Sequence, residues 1–300
     1  GRMSGKVAAI GTFDGVHAGH AVVLSEVMEE ARRNGLEPLA ITFDRHPLAL
    51  ISPQRAPLAI TTIEKKTELI AKTGVTPIVL PFDEKLRSTT ARDWMRMIHS
   101  QFGVEHIVVG YDNTFGCDGV ALSLSDYRRI GEETGITVSE APMLPGVSSS
   151  AIRKAIAAGD IDEANRMLGR RFAIPGIVVE GNKLGRTIGF PTANMMPHPG
   201  IVVPGNGVYA AVAYLPGGTR RDAVVNIGVR PTVRRGNNLT IEAHIIDWSG
   251  DLYGHQFNLV FHTRMREEIR FNSIDALKRQ IEKDTSNAKL FLSDATKQIK

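Results

Sequence analysis

The stretch GTFDGVHAGH, residues 11–20, puts three glycines and two histidines into one turn between the apolar run Val7 to Ile10 and a long helical pattern. A strand, a glycine-rich turn and a helix N-terminus together make a phosphate site, because free backbone N–H groups and the positive end of the helix dipole converge on one spot. Gly11, Gly15 and Gly19 let the backbone approach an anion closely, and Phe13 and Asp14 lie in the same turn. His17 and His20, three residues apart in the first helical turn, project to one side and can both donate hydrogen bonds to phosphate oxygens. Such donors suit nucleotidyl transfer, in which an acceptor oxygen attacks the α-phosphate and pyrophosphate leaves. Catalysis is then mostly positioning and neutralisation of developing charge. A bare H-x-x-H is equally a metal-ligand spacing or a pair of surface histidines; the strand, turn and helix around it make the pattern specific.

A second candidate is GNKLGRTIGFPTAN, residues 181–194. Gly181, Gly185 and Gly189 give flexibility, Lys183 and Arg186 give positive charge, and Thr192 and Asn194 are hard oxygen ligands suited to Mg²⁺. A solvent loop between strands has a similar composition. Ser148, Ser149 and Ser150 open a helical pattern, where they would cap it and present N–H groups to an anion, with Arg153 one turn in as a fixed positive fork; a plain N-cap is the alternative. Glu242 stands two residues before His244 on an alternating strand, so both point the same way. A cross-strand surface partner is the ordinary fate of such a glutamate.

The elements that must position these residues form two dissimilar halves. From Lys6 to about Glu140, strand-like runs at 7–10, 38–43, 77–82, 105–110 and 136–139 alternate with amphipathic segments. The first of these carries Val23, Leu24, Val27, Met28 and Ala31 and stops at Asn34-Gly35, and a capping box at 61–64 opens the second. Alternation of this kind predicts a parallel sheet covered on both faces, with ligands at the carboxyl ends of its strands. A helical stretch spans 150–168. Strand-like runs at 177–180, 208–214, 223–227, 239–247 and 256–262 then follow one another without intervening helices, which predicts an antiparallel sheet or small barrel. A closing helix over 273–292 carries Ile274, Leu277, Ile281 and Leu290. The fold class is therefore α/β, with domains at 3–168 and 169–300; Gly1-Arg2, preceding Met3, are left out of the reading.

The composition, 42% hydrophobic and 23% charged over 300 residues, is that of a globular chain rather than a disordered one. There is no apolar run of the roughly 18 residues a membrane span needs and no secretory signal pattern, so the expectation is a cytoplasmic protein without membrane attachment. The single cysteine, Cys117, fits a reducing compartment. Thirty-six Lys and Arg against 32 Asp and Glu give +4, without the dense basic runs of a nucleic-acid tail, so no nucleic-acid partner is expected.

The first turn, in its context, resembles the HxGH nucleotidyltransferases, in particular the adenylyltransferase half of the bacterial bifunctional riboflavin kinase/FAD synthetases. ITFDRHP at 41–47, the Leu80-Pro-Phe82 strand end, VVGYDNTFG at 108–116 and VSSSAIR at 147–153 match in order, and so, in the second half, do residues 181–194, GVYAAV at 207–212, NIGVRPT at 226–232, IEAHIIDWSGDLYG at 241–254 and RMREEIRF at 264–271. The resemblance covers nearly the whole chain. It implies an N-terminal nucleotidyltransferase domain with a Rossmann-like parallel sheet and a C-terminal antiparallel β-barrel riboflavin kinase domain with a closing helix. It implies two reactions: riboflavin and MgATP to FMN, and FMN and MgATP to FAD with release of pyrophosphate. It assigns His17, His20, Ser148, Ser149, Ser150 and Arg153 to ATP phosphates, Thr192 and Asn194 to Mg²⁺, and Glu242 to general-base attack by the terminal ribityl hydroxyl. Asp14 either holds the turn or touches nucleotide or Mg²⁺. Asp112 matches an acidic position near flavin or metal, and Arg266 lies in a segment near the flavin. Asn113 and Thr114 depart from the family, which carries a ring residue and then a basic one there. Some members associate, so a homo-oligomer is compatible with the resemblance. A flavin-sensing or RNA-binding protein on the same scaffold would bind without turnover, and it gives no reason to hold His17, His20 and Glu242 together.

Overall fold

The computed structural model describes residues 4–111, 113–181, 184–230 and 238–297. Two compact units divide the chain, Gly1–Ser149 and Ser150–Lys300.

In the first unit, β1 (Lys6–Ile10), β2 (Glu37–Phe43), β3 (Thr76–Leu80), β4 (Val104–Val109) and β5 (Thr137–Glu140) form one parallel sheet in the order β3-β2-β1-β4-β5. The connecting helices are α1 (Ala18–Asn34), α2 (Pro47–Ile51), α3 (Ile63–Lys72), α4 (Glu84–Arg87), α5 (Ala91–Phe102) and α6 (Leu124–Thr134). Residues 7–10 are apolar throughout because the central strand is buried on both faces. Val7 and Ala9 meet Leu24 and Val27 of α1 and Ile70 of α3, while Ala8 and Ile10 meet Trp94 and Ile98 of α5 and Ile130 of α6. Since β2 and β4 both flank β1, the chain order reverses at β1, and the crevice at its carboxyl end is where open α/β sheets bind ligands. The turn 11–17 begins there.

In the second unit, α7 (Ser149–Ala158) and α8 (Ile161–Leu168) precede β6 (Ala173–Val179), α9 (Leu184–Thr187), β7 (Ala193–Pro197), β8 (Gly207–Tyr214), β9 (Arg220–Arg230), β10 (Asn238–Ile245), β11 (Gln256–Arg266) and α10 (Ile274–Lys297). The strands close an antiparallel barrel in the order β10-β7-β6-β11-β8-β9. Alternation along β8 sends Val208, Ala210 and Val212 toward Ala288 and Leu292 of α10. On the other face, Tyr209 meets the Phe261 ring edge-on, with centroids 5.5 Å apart.

Three elements differ from the sequence reading. The single helix expected over 150–168 is two, because Gly159 takes a left-handed φ of 80° and Asp160 caps α8 by accepting from Glu163 N–H. Those helices pack with the barrel: Asn165 donates through Nδ2 to Phe261 O at 3.0 Å and accepts from Phe172 N–H at 2.7 Å. The sequence reading takes β7 only as part of a phosphate loop, since this five-residue strand starts inside the PTAN run and ends on a proline. Finally, Ile274 and Leu290 of α10 are exposed, while Leu277 and Ile281 face a cavity.

Candidate functional site

The turn after β1 is held from three sides. Phe13 and Val16 adopt positive φ values of 48° and 41°, which costs about 1–3 kcal/mol each and persists only where the surroundings fix the backbone. Asp14 Oδ1 accepts from Ile60 N–H at 2.9 Å and Thr61 N–H at 3.4 Å, and Gly15 N–H donates to Thr61 Oγ1 at 3.2 Å. Of the two roles open for Asp14, its contacts here are those of a residue that holds the turn. Thr12 O accepts from Thr42 Oγ1 and from Lys66 Nζ, both at 3.0 Å.

His17 is the N-cap of α1 and His20 its third residue, and they cap each other. His20 N–H donates to His17 Nδ1 at 3.2 Å, and His17 N–H donates to His20 Nδ1 at 3.1 Å. The rings stack with centroids 3.5 Å apart and 16° between planes, and the edge of Phe13 meets His20 at 5.2 Å. An imidazole nitrogen that accepts a backbone N–H carries no proton, so each neutral ring keeps its proton on Nε2. In that tautomer Nε2–H is the ring donor left for any further partner of each histidine. Gly19 lies beneath: a Cβ there would come 2.9 Å from His17 Cε1, so only glycine leaves the ring in place. Gly11 lies against Asn113, whose side-chain amide donates to Ile10 O. Ser149 Oγ donates to Asp14 O at 2.8 Å; Ser148 directly precedes α7, and Ser150 and Arg153 occupy its first turns.

In the barrel, β10 places Glu242 opposite Asn194 of β7 and Asn226 of β9. Ile241 and Ala243 are buried, while Glu242 and His244 share the other face and line one cavity of about 190 Å³. Its walls include Ile188, Phe190, Val224, Ile269 and Phe271. His244 Nδ1 donates to Pro191 O at 3.1 Å, which leaves Nε2 as the accepting atom of a neutral ring. Arg266 also lines this cavity, but its fork is engaged by Asp284 of α10: Nε to Oδ1 at 2.9 Å and Nη2 to Oδ2 at 2.7 Å. Asp284 is 3% exposed and also accepts from Gln280 Nε2 at 2.9 Å. A second, more polar cavity of about 760 Å³ is lined by Glu180, Gly181, Arg186, Thr192, Asn194 and Asp251. Thr192 borders both cavities. Gly181 packs flush on the Asn194 amide, where a Cβ would collide. Gly185 O accepts from Phe190 N–H at 2.8 Å across a helical turn, and Gly189 follows at φ 88°. Asp112 and Lys183 lie outside the described residues. Among the described residues no group of three or more His, Cys, Asp or Glu is placed to hold a metal ion. A hydroxyl and an amide oxygen beside a polar cavity nonetheless fit Mg²⁺, which retains waters and substrate phosphate oxygens and needs few protein ligands.

Comparison with known proteins decides what these two sites belong to. An FAD synthetase family model matches residues 2–153, and a riboflavin kinase family model matches residues 168–292. The bifunctional riboflavin kinase/FMN adenylyltransferase of Pseudomonas fluorescens is 38% identical over 291 residues, 95% of this chain and 92% of its own length. The chain belongs to this family. The Escherichia coli K12 and Bacillus subtilis members are 37% and 35% identical, covering 96% and 97% of this chain and 93% and 94% of their own lengths. A crystal structure from Streptococcus pneumoniae, described as a macrolide-efflux protein, has a TM-score of 0.87 at 28% identity and covers 96% of this chain and 95% of that one. No helix among the described residues here is long and apolar enough to cross a membrane. The N-terminal half of this bifunctional enzyme is the FMN adenylyltransferase, and the C-terminal half is the riboflavin kinase.

Two residues of these sites escaped the sequence reading for the same reason. Lys66 sits at an apolar-stripe position of α3, four before Ile70, and Asp284 sits in the stripe Leu277, Ile281, Ala288 of α10. A charged side chain inside an apolar stripe is the signal that identifies them.

Proposed function

We propose that Glu242 is the general base of riboflavin phosphorylation and that His17 and His20 neutralise charge in adenylyl transfer. The flavin ring enters the apolar-walled cavity, with its ribityl chain directed to Glu242, which takes the proton of the terminal hydroxyl as that oxygen attacks the γ-phosphate of ATP. The triphosphate lies in the polar cavity, where Gly181 and Arg186 supply an N–H group and positive charge; Lys183, Gly185 and Gly189 of the same run are assigned to the phosphates with them. Thr192 and Asn194 would hold Mg²⁺, which offsets charge on the transferring group when bound. What supports this reading most directly is Thr192, which borders both cavities and so stands where acceptor and donor must meet. Arg266, through Asp284, fixes the wall that α10 gives to the flavin cavity.

In the first reaction site, Nε2–H of His17 and of His20 donates to ATP phosphate oxygens beside the N–H groups of Phe13, Asp14 and Gly19, while Gly11 and Gly15, whose N–H groups donate to Ile41 O and Thr61 Oγ1, let the backbone lie close to the anion; an FMN phosphate oxygen attacks the α-phosphate and pyrophosphate leaves. Ser148, Ser149, Ser150 and Arg153 are assigned to the same polyphosphate, and Asp112 and Asn113 to the flavin side. The adenylyl-transfer domain is taken as 3–168 and the kinase domain as 169–300, in an enzyme working in the cytoplasm.

The test is chromatography of products from riboflavin, ATP and Mg²⁺, with and without chelator. FMN followed by FAD is expected with Mg²⁺, and neither with chelator. FMN without FAD would overturn the first site, and no phosphorylated flavin would overturn both.

A further inference from the structure

One buried charged group lies beside the adenylyl-transfer turn with no part in the chemistry just described. Lys66 is 8% exposed, on the inward face of α3. Its Nζ donates to two backbone carbonyls, Thr12 O and Phe43 O, each at 3.0 Å. Phe43 ends β2, and Thr12 lies two residues beyond the end of the adjacent β1, where the chain leaves the sheet. Two carboxylates face the ammonium. Asp14 is in the turn itself, tied to Ile60 and Thr61, and Asp44 follows β2, its Oδ1 accepting from Phe82 N–H at 2.9 Å. Burial pushes the Lys66 ammonium below the ordinary lysine range, and Asp14 and Asp44 push it back up.

A lysine taken out of water at this cost needs a return, and a hydrophobic residue would fill the stripe of α3 without it. Two effects supply that return. The Thr12 carbonyl opens a turn in which Phe13 and Val16 are held at positive φ, and it is fixed by Lys66 together with Thr42. The ammonium also offsets part of the negative charge of Asp14 beside the place where a polyphosphate binds.

We propose that Lys66 is a positioning residue for adenylyl transfer, holding the turn that carries His17 and His20 and cancelling the charge of Asp14 toward ATP. This rests on the functional reading above.

The test uses the full chain with Lys66→Met, which keeps volume and removes both charge and donors, and Lys66→Gln, which keeps donors only. FAD formation from FMN and riboflavin phosphorylation are followed in the same preparations. Unmodified protein that makes no FAD sinks the functional reading itself, before Lys66 is at issue. Given FAD formation, Lys66→Met is expected to lower kcat/KM for it about 100-fold or more, through both kcat and KM for ATP, with riboflavin phosphorylation within about twofold. Lys66→Gln is expected to recover most of kcat while KM for ATP stays about tenfold high, because the carbonyls regain donors and Asp14 does not regain its counter-charge. Lys66→Met retaining FAD formation within about threefold would overturn the proposal. So would losses in both variants that match only the fraction of unfolded first unit, measured by amide hydrogen exchange, with unchanged kcat and KM per folded molecule.

Discussion

The two halves of the molecule meet the same demand, holding a polyphosphate beside an acceptor oxygen, by different means. In the parallel sheet the proposed binding groups are backbone N–H groups of the turn after β1 and the start of α1, with the two histidines. The side chains around them, Asp14, Thr42 and Lys66, keep that backbone in place. In the barrel the proposed groups are side chains on strands or at their ends: Glu242 on β10, with His244 on the same face, Thr192 just before β7 and Asn194 within it. A parallel sheet ends its strands together and hands the chain to helix N-termini, so it offers amides and dipoles. A closed antiparallel barrel has no such crevice; it offers faces and needs another element, here α10, to complete a wall.

The sharpest break between the halves should come from Glu242→Gln. Removing the base is expected to lower riboflavin phosphorylation by about 10²–10⁴-fold while FAD formation from supplied FMN is unchanged, as read by product chromatography with each substrate. Equal loss of both reactions would show that the halves do not work as separate chemistries. Next comes His17→Asn, which keeps an N-cap acceptor and removes the Nε2 donor. FAD formation should fall about 10²-fold with riboflavin phosphorylation and Tm nearly unchanged, whereas His17→Ala should in addition lower stability by about 1 kcal/mol. Retention of FAD formation in His17→Asn would reduce the histidine pair to a helix cap.

Asp284→Ala tests the wall. Leaving the Arg266 guanidinium unpaired in a largely buried place is expected to cost about 3–5 kcal/mol in the barrel and to raise the riboflavin Kd, while the sheet unit keeps its denaturation midpoint. The smallest effect concerns acid. His262 in β11 is held down to about 4 by burial, with Arg171 and Arg220 adding to the depression, and its Nδ1 has no hydrogen-bond partner among the described residues. The unfolded chain therefore takes up a proton that the barrel refuses. Barrel stability should be unaffected by this group above the unfolded value of 6.5 and should decline as pH falls from there toward 4. His262→Gln should flatten that decline in urea titrations at a series of pH values. An unchanged slope would assign the acid sensitivity to other groups.

Periodicity made the five-stranded sheet and most barrel strands legible, because runs such as residues 7–10 and the alternation at 239–245 are dictated by burial on two faces or one. Candidate site residues were legible where residue types are unusual, at His17, His20, Glu242, Thr192 and Asn194, which lie in the turn or line a cavity. It was not legible where an ordinary residue does an unusual job. β7 is a five-residue strand that follows a glycine-rich loop and ends on Pro197, too short for a period to show, and the break between α7 and α8 rests on a single left-handed glycine. Lys66 and Asp284 acquire meaning only once the helix that carries each is packed and its stripe is seen to face polar groups.

The reciprocal cap at the start of α1 has a consequence for how this chain can change over generations. Because each histidine ring accepts the other residue's backbone N–H, neither can be replaced without loosening its neighbour. A substitution that removes the accepting nitrogen at one position is felt at once as an open helix end and as a ring left without its stacked partner at the other. Single steps away from the pair are narrowed to residues that keep an acceptor for the cap, so the two positions are coupled in how they drift.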